Sequence, residues 1–113
     1  MHEMSIVAGV LDIAENEARS AGAIVINSVE IEVGALAGVE IDALEFCFEV
    51  ARKDTLAAEA SLVIHEIPGL GHCPDCGQDV AMDYFMAVCS ACGEGLLEVL
   101  QGQELRVRSL NVD

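Results

Sequence analysis

Cys73-Pro-Asp-Cys76-Gly77 and Cys89-Ser-Ala-Cys92-Gly93 decide how this chain of 113 residues is organised. Twelve residues separate the inner cysteines, so two short loops can each present two thiolates to one ion. The glycine after each pair permits the tight turn that points backbone amides at sulfur. Four sulfurs around one ion leave no open coordination position for catalysis. The spacing therefore predicts a closed structural zinc site built by Cys73, Cys76, Cys89 and Cys92. The competing reading of the same residues is a disulfide framework, which requires an oxidising compartment.

The N-terminal Met1-His2-Glu3-Met4 has neither a basic region nor an apolar signal core, which points to the cytoplasm and to reduced thiols. Although 53% of residues are hydrophobic, Glu and Asp interrupt every long apolar run, so a soluble chain without a membrane span is expected. The formal net charge is −15, and only 5 Lys and Arg are available to displace counterions from a phosphate backbone. Nucleic acid is thus not an expected partner. The acidic excess reads as solvated surface, with a docking surface for a basic patch and a weak metal sink as alternatives.

Outward from the cysteines, apolar periodicity sets the frame. Val7, Val10, Leu11, Ala14 and Ala18 repeat at helical spacing over residues 4–20, and Gly22 sits where a helix-ending glycine would. Residues 24–33 turn β-branched, with Val29, Ile31 and Val33 alternating against Glu30 and Glu32. A small-residue loop at 34–38 leads to a second helical stripe of Ile41, Leu44, Cys47, Phe48 and Ala51 that ends near Lys53 and Asp54. A strand at 62–67 precedes Pro68-Gly69-Leu70-Gly71, a linker into the cysteines, and 96–100 is a short apolar run. The last strand, 104–112, alternates and then shifts phase at Ser109, which suggests a β-bulge. The expected fold is α+β: a small sheet of about three strands with two helices, plus an inserted zinc-ribbon-like module. Residues 1–68 form the first domain, completed by about 101–113, and 69–100 form the zinc-binding module. Val7, Leu11, Val29, Ile31, Leu44, Phe48, Leu105 and Val107 are expected in the core.

The amino terminus offers a second ligand set. An α-amine on Met1, the deprotonated amide of His2 and the His2 imidazole can close two fused chelate rings around a square-planar nickel(II) or copper(II) ion. The Glu3 amide can supply a further nitrogen and its carboxylate can cap the site. Glu40 joins as an additional candidate if the two helix starts lie together. The plain reading of His2 alone is a polar residue on a frayed terminus.

Met1-His2-Glu3-Met4-Ser5, Glu32-Val33-Gly34 closing a strand, Phe46-Cys47-Phe48-Glu49, the two CxxC pairs and Gly102-Gln103-Glu104-Leu105 together resemble the HypA/HybF family of hydrogenase nickel-incorporation proteins. The resemblance covers essentially the whole chain in order. It implies a metallochaperone rather than an enzyme: a nickel-binding α+β domain with a structural zinc domain inserted in it. It also implies transferable nickel held at His2 with Met1 and Glu3 main-chain nitrogens. Glu40 matches an acidic position near the nickel site, as a glutamate where the family is associated with aspartate. The implied partners are the nickel GTPase HypB and the NiFe hydrogenase large subunit precursor, with urease accessory proteins as a further class.

Among the other candidates, Cys47 falls on an apolar stripe and reads as an inert core thiol. His72 precedes Cys73 and can be imagined replacing a thiolate, while His65 reads as a structural strand residue. The competing function is a zinc-ribbon adaptor that organises a protein complex without transferable metal. A metal hydrolase fails on the closed four-thiolate site.

Overall fold

The computed structural model describes residues 2–84 and 87–113. The chain divides into two compact units, one of Met1–Glu32, Val39–His65 and Arg106–Asp113, the other of Val33–Gly38 and Glu66–Leu105. The second unit thus extends past the 69–100 boundary drawn from the sequence. It takes in the residues flanking that stretch and a six-residue loop from the first half of the chain.

In the first unit, α1 (Glu3–Ser20) buries Ile6, Val7, Val10, Leu11, Ala14 and Ala18, the stripe that the periodicity requires. It ends in a Schellman arrangement: Ala23 N–H donates to the Ala18 carbonyl, Gly22 N–H donates to Arg19, and Gly22 sits at φ 74°. Helix α2 (Ile41–Ala51) packs on α1 and buries Leu44 and Phe48, while Cys47 is only half-buried rather than a core thiol. Strands β1 (Ile26–Gly34), β2 (Ser61–Ile67) and β6 (Leu105–Val112) form a sheet in the order β2-β1-β6. The last strand therefore returns to the first, as the insertion topology demands. Val29 and Ile31 face the core, and each such buried side chain stabilises the fold by about 1.5–3 kcal/mol.

The outer face of this sheet is polar. Arg106 Nε donates to Glu32 at 2.6 Å, Ser109 Oγ to Glu30 at 2.8 Å, and Asn27 Nδ2 to Asn111 at 3.0 Å. Arg108 and Ser109 are both exposed, so the alternation of β6 breaks where the sequence shifts phase. On β1 neither Asn27 nor Ser28 is buried, so its alternation also breaks, beside the Asn27–Asn111 bond.

Two expected core residues are not buried: Leu105 and Val107 are half-exposed. Among the described residues β6 is an edge strand paired with β1 alone, and Val107 lines a groove of about 460 Å³ with Ile13 and Ala18 of α1.

The second unit holds three short strands, β3 (Leu70–His72), β4 (Asp79–Ala81) and β5 (Glu98–Gln101), in the order β4-β3-β5 with both pairings antiparallel. Its core is Leu36, Cys73, Met82, Ala87, Cys89 and Leu97, so the β1–α2 loop contributes a leucine to the same cluster as two of the sulfurs. Glycine allows the loop to seat. A Cβ on Gly34 would collide with the Gly102 carbonyl, and one on Gly69 with that of Met82.

Candidate metal centre

The two knuckles repeat one local geometry. Gly77 N–H donates to the Cys73 carbonyl at 2.8 Å, and Gly93 N–H to the Cys89 carbonyl at 2.7 Å, with both glycines near φ 77–78°. Each bond closes a turn across its pair, and the positive φ of the glycine just after it lets the chain turn away at once. Cys73 and Cys89 are buried, Cys76 and Cys92 exposed, so the site lies at the surface with half its ligands rooted in the core. Gly95 passes directly against Cys73 Sγ, where any side chain would fill the sulfur's place.

All four sulfurs lie within 4.8 Å of one another, with Cys73–Cys92 at 3.7 Å and Cys76–Cys89 at 3.8 Å. A tetrahedral zinc with Zn–S bonds of about 2.3 Å needs sulfurs about 3.8 Å apart, whereas a disulfide needs about 2.05 Å. The donor set and its spacing fit a tetrahedral thiolate-bound ion and not a pair of disulfides.

The sulfurs do not ionise alike. The amides of Glu94 and Gly95 point at Cys92 and lower its thiol to about 7. The Gln78 amide also favours ionisation of Cys76, but desolvation and the three neighbouring sulfurs outweigh it and push that thiol up to about 12. One thiolate forms near neutrality and discourages the next, so a dication has to displace the remaining protons as it binds. His72 takes no part: its Nδ1 is 2.7 Å from Asp79 Oδ1 on β4, and it is not in the sulfur cluster.

At the other site, His2 is the exposed N-cap of α1 and Glu40 the N-cap of α2, and neither side chain caps its own helix. The Glu40 N–H donates to the Glu3 carboxylate at 3.4 Å, which brings the two helix starts together. Helical bonding begins when Ser5 and Ile6 donate to the His2 carbonyl, so the backbone nitrogens of His2 and Glu3 are not used by the helix. Met1 lies outside the described residues. His65 is away from both sites, bonded through Nε2 to Glu30 at 2.7 Å.

A family model for hydrogenase/urease nickel incorporation, the metallochaperone HypA, matches residues 1–112. The chain belongs to the HypA family. The hydrogenase maturation factors HypA of Alkalilimnicola ehrlichii and Geobacter metallireducens are 46% and 44% identical to it over 113 residues, with 100% of each chain covered. The solution structure of the Ni metallochaperone HypA from Helicobacter pylori superposes with a TM-score of 0.69 at 26% identity, covering 99% of this chain and 97% of that one. As a HypA family member the chain is a maturation factor with a role in nickel incorporation and not an enzyme. No helix among the described residues is long and apolar enough to cross a membrane.

Sequence reasoning located the four sulfurs and missed what holds them. Leu36 is the one large apolar residue between Gly34 and Gly38, and that isolation was the available signal. Gly95 stands outside both CxxC-Gly units, so its contact with Cys73 had no local signature.

Proposed function

We propose that this HypA family member carries nickel(II) as cargo at its amino terminus and delivers it into hydrogenase maturation, while zinc held by the four cysteines is a resident structural ion. The cargo is held by the His2 imidazole, the Met1 amine and the main-chain nitrogens of His2 and Glu3, with Glu40 adjacent. The observation that carries this reading is the Glu3–Glu40 contact. It brings the start of α2, with Glu40 as its N-cap, against the Glu3 carboxylate beside a terminus whose His2 side chain is exposed and whose backbone nitrogens the helix does not use. Planar coordination by ionised amides suits a d8 ion, and the negative charge of those nitrogens offsets the unfavourable positive end of the helix dipole. The recipient is the NiFe hydrogenase large subunit precursor, the nickel GTPase HypB hands over the ion with it, and urease accessory proteins are a second outlet. This traffic takes place in the cytoplasm.

Calorimetry on untagged protein tests the proposal. His2→Ala should abolish nickel binding with zinc content and fold unchanged, because the exposed His2 is outside the core. One glycine added before Met1 should weaken binding nearly as much, since it converts the amine to an amide and shifts the imidazole along the chain. Equal nickel affinity in all three proteins would remove the mechanism, and no nickel uptake by the wild type would leave the adaptor function in its place.

A further inference from the structure

The second unit has a surface that neither metal explains. Val88 and Leu96 are paired across an antiparallel bridge, so their side chains lie side by side on one face. That face is the outward one, because Ala87, Cys89 and Leu97 turn into the core and Val99 packs against it. Val88 is 53% exposed, Leu96 48% and Leu100, the next apolar outward residue, 52%. Glu98 lies between the two leucines on the same strand, and Glu94 just precedes the bridge.

The charge around this patch has one sign. All five Lys and Arg residues of the chain belong to the first unit. The second contains Glu66, Asp75, Asp79, Asp83, Glu94, Glu98 and Glu104, no lysine or arginine, and one histidine, His72, whose ring is bonded to Asp79. Exposed aliphatic side chains interleaved with charge of one sign suit an interaction site on a small domain, and that sign selects its partner electrostatically.

We propose that the Val88–Leu96–Leu100 face of the cysteine-bearing unit is a docking surface for a partner protein that presents an apolar cleft or helix face bordered by lysine or arginine. The paired Val88 and Leu96, with Leu100 further along, supply the apolar contacts, while Glu94 and Glu98 pair with the partner's basic side chains. Nucleic acid and anionic lipid are repelled by the same carboxylates.

The test uses the zinc-loaded full chain, isotope-labelled, with a synthetic amphipathic helix of leucine and lysine as the probe and its leucine–glutamate counterpart as control. The basic peptide should shift the amide signals of Val88, Leu96 and Leu100, and the acidic one should not bind. Val88→Ser with Leu96→Ser should weaken binding about tenfold, as expected for losing central apolar contacts, with zinc stoichiometry unchanged. Glu94→Gln with Glu98→Gln should weaken it too and reduce its salt dependence. Should the serine pair lose zinc, the glutamine pair and the signal map decide. Signals that move elsewhere, binding unchanged in the serine pair, or affinity that ignores both salt and the glutamine pair would each overturn the proposal.

Discussion

Leu36→Ala isolates the energetic role of the loop that reaches from β1 into the cysteine-bearing unit. Leu36 is 5% exposed and shares its cluster with Cys73 and Cys89. Truncation removes most of a buried leucine, and its neighbours include backbone at Gly102 and Gly69 that cannot collapse easily into the gap. Such a change costs about 3 kcal/mol, within the 2–5 kcal/mol range for buried leucine truncations. In so small a unit folding and ion binding are one equilibrium, so the cost should appear as an apparent zinc affinity weaker by about a hundredfold. Competition against a chromophoric chelator, with untagged full chain, measures it. Leu36→Met should stay within about 1.5 kcal/mol, and Leu100→Ala, at an exposed position, within about 0.5 kcal/mol. A Leu36→Ala protein that binds zinc within twofold of wild type would refute the reasoning, because the leucine would then not belong to the cooperative unit that holds the sulfurs.

Replacing Cys73 and Cys89 together with alanine should eliminate bound zinc and melt the second unit, while signals of α1 and the β2-β1-β6 sheet persist; metal analysis with amide spectra reads both. Gly34→Ala places a methyl against the Gly102 backbone and should destabilise by about 1–3 kcal/mol, seen as a lower denaturant midpoint. The hydrogen bond from His65, then that from Ser109, hold Glu30 below its ordinary value of 4.5. A lowered folded value stabilises above the ordinary glutamate range and is lost as pH falls through it, so Glu30→Gln should flatten the acid limb of a melting-temperature profile between about pH 5 and 3. An unchanged limb would place the acid sensitivity at other carboxylates.

The legible parts of the fold were those with a long period. Eighteen residues of α1 and the alternation of β1 repeat their pattern often enough to be read, and the phase shift at Ser109 appears as two successive exposed residues, Arg108 and Ser109. Strands β3 and β4 have three residues each, too few to alternate, and their pairing depends on the knuckles that they flank. Leu105 and Val107 carry the right pattern, yet depth depends on neighbours, and an edge strand has one. At the candidate nickel site, His2 was readable from its position in the chain. The contact between Glu3 and Glu40 spans 37 residues and exists because α1 packs on α2, which no local pattern encodes.

The side chain of Gln101 donates to the Pro68 carbonyl at 3.0 Å, so the two ends of the inserted segment are held together. This has a kinetic consequence. β6 must find β1 across 37 residues that follow β2, and closing a loop of that length rather than one of about four costs roughly 2 kcal/mol in chain entropy. An insert that folds first has already met that cost, and it emerges from synthesis before the strand it helps to recruit. The β2-β1-β6 sheet is then completed after the insert, by a strand that follows it in the chain, so the rate at which the insert folds bears on the rate at which this sheet closes.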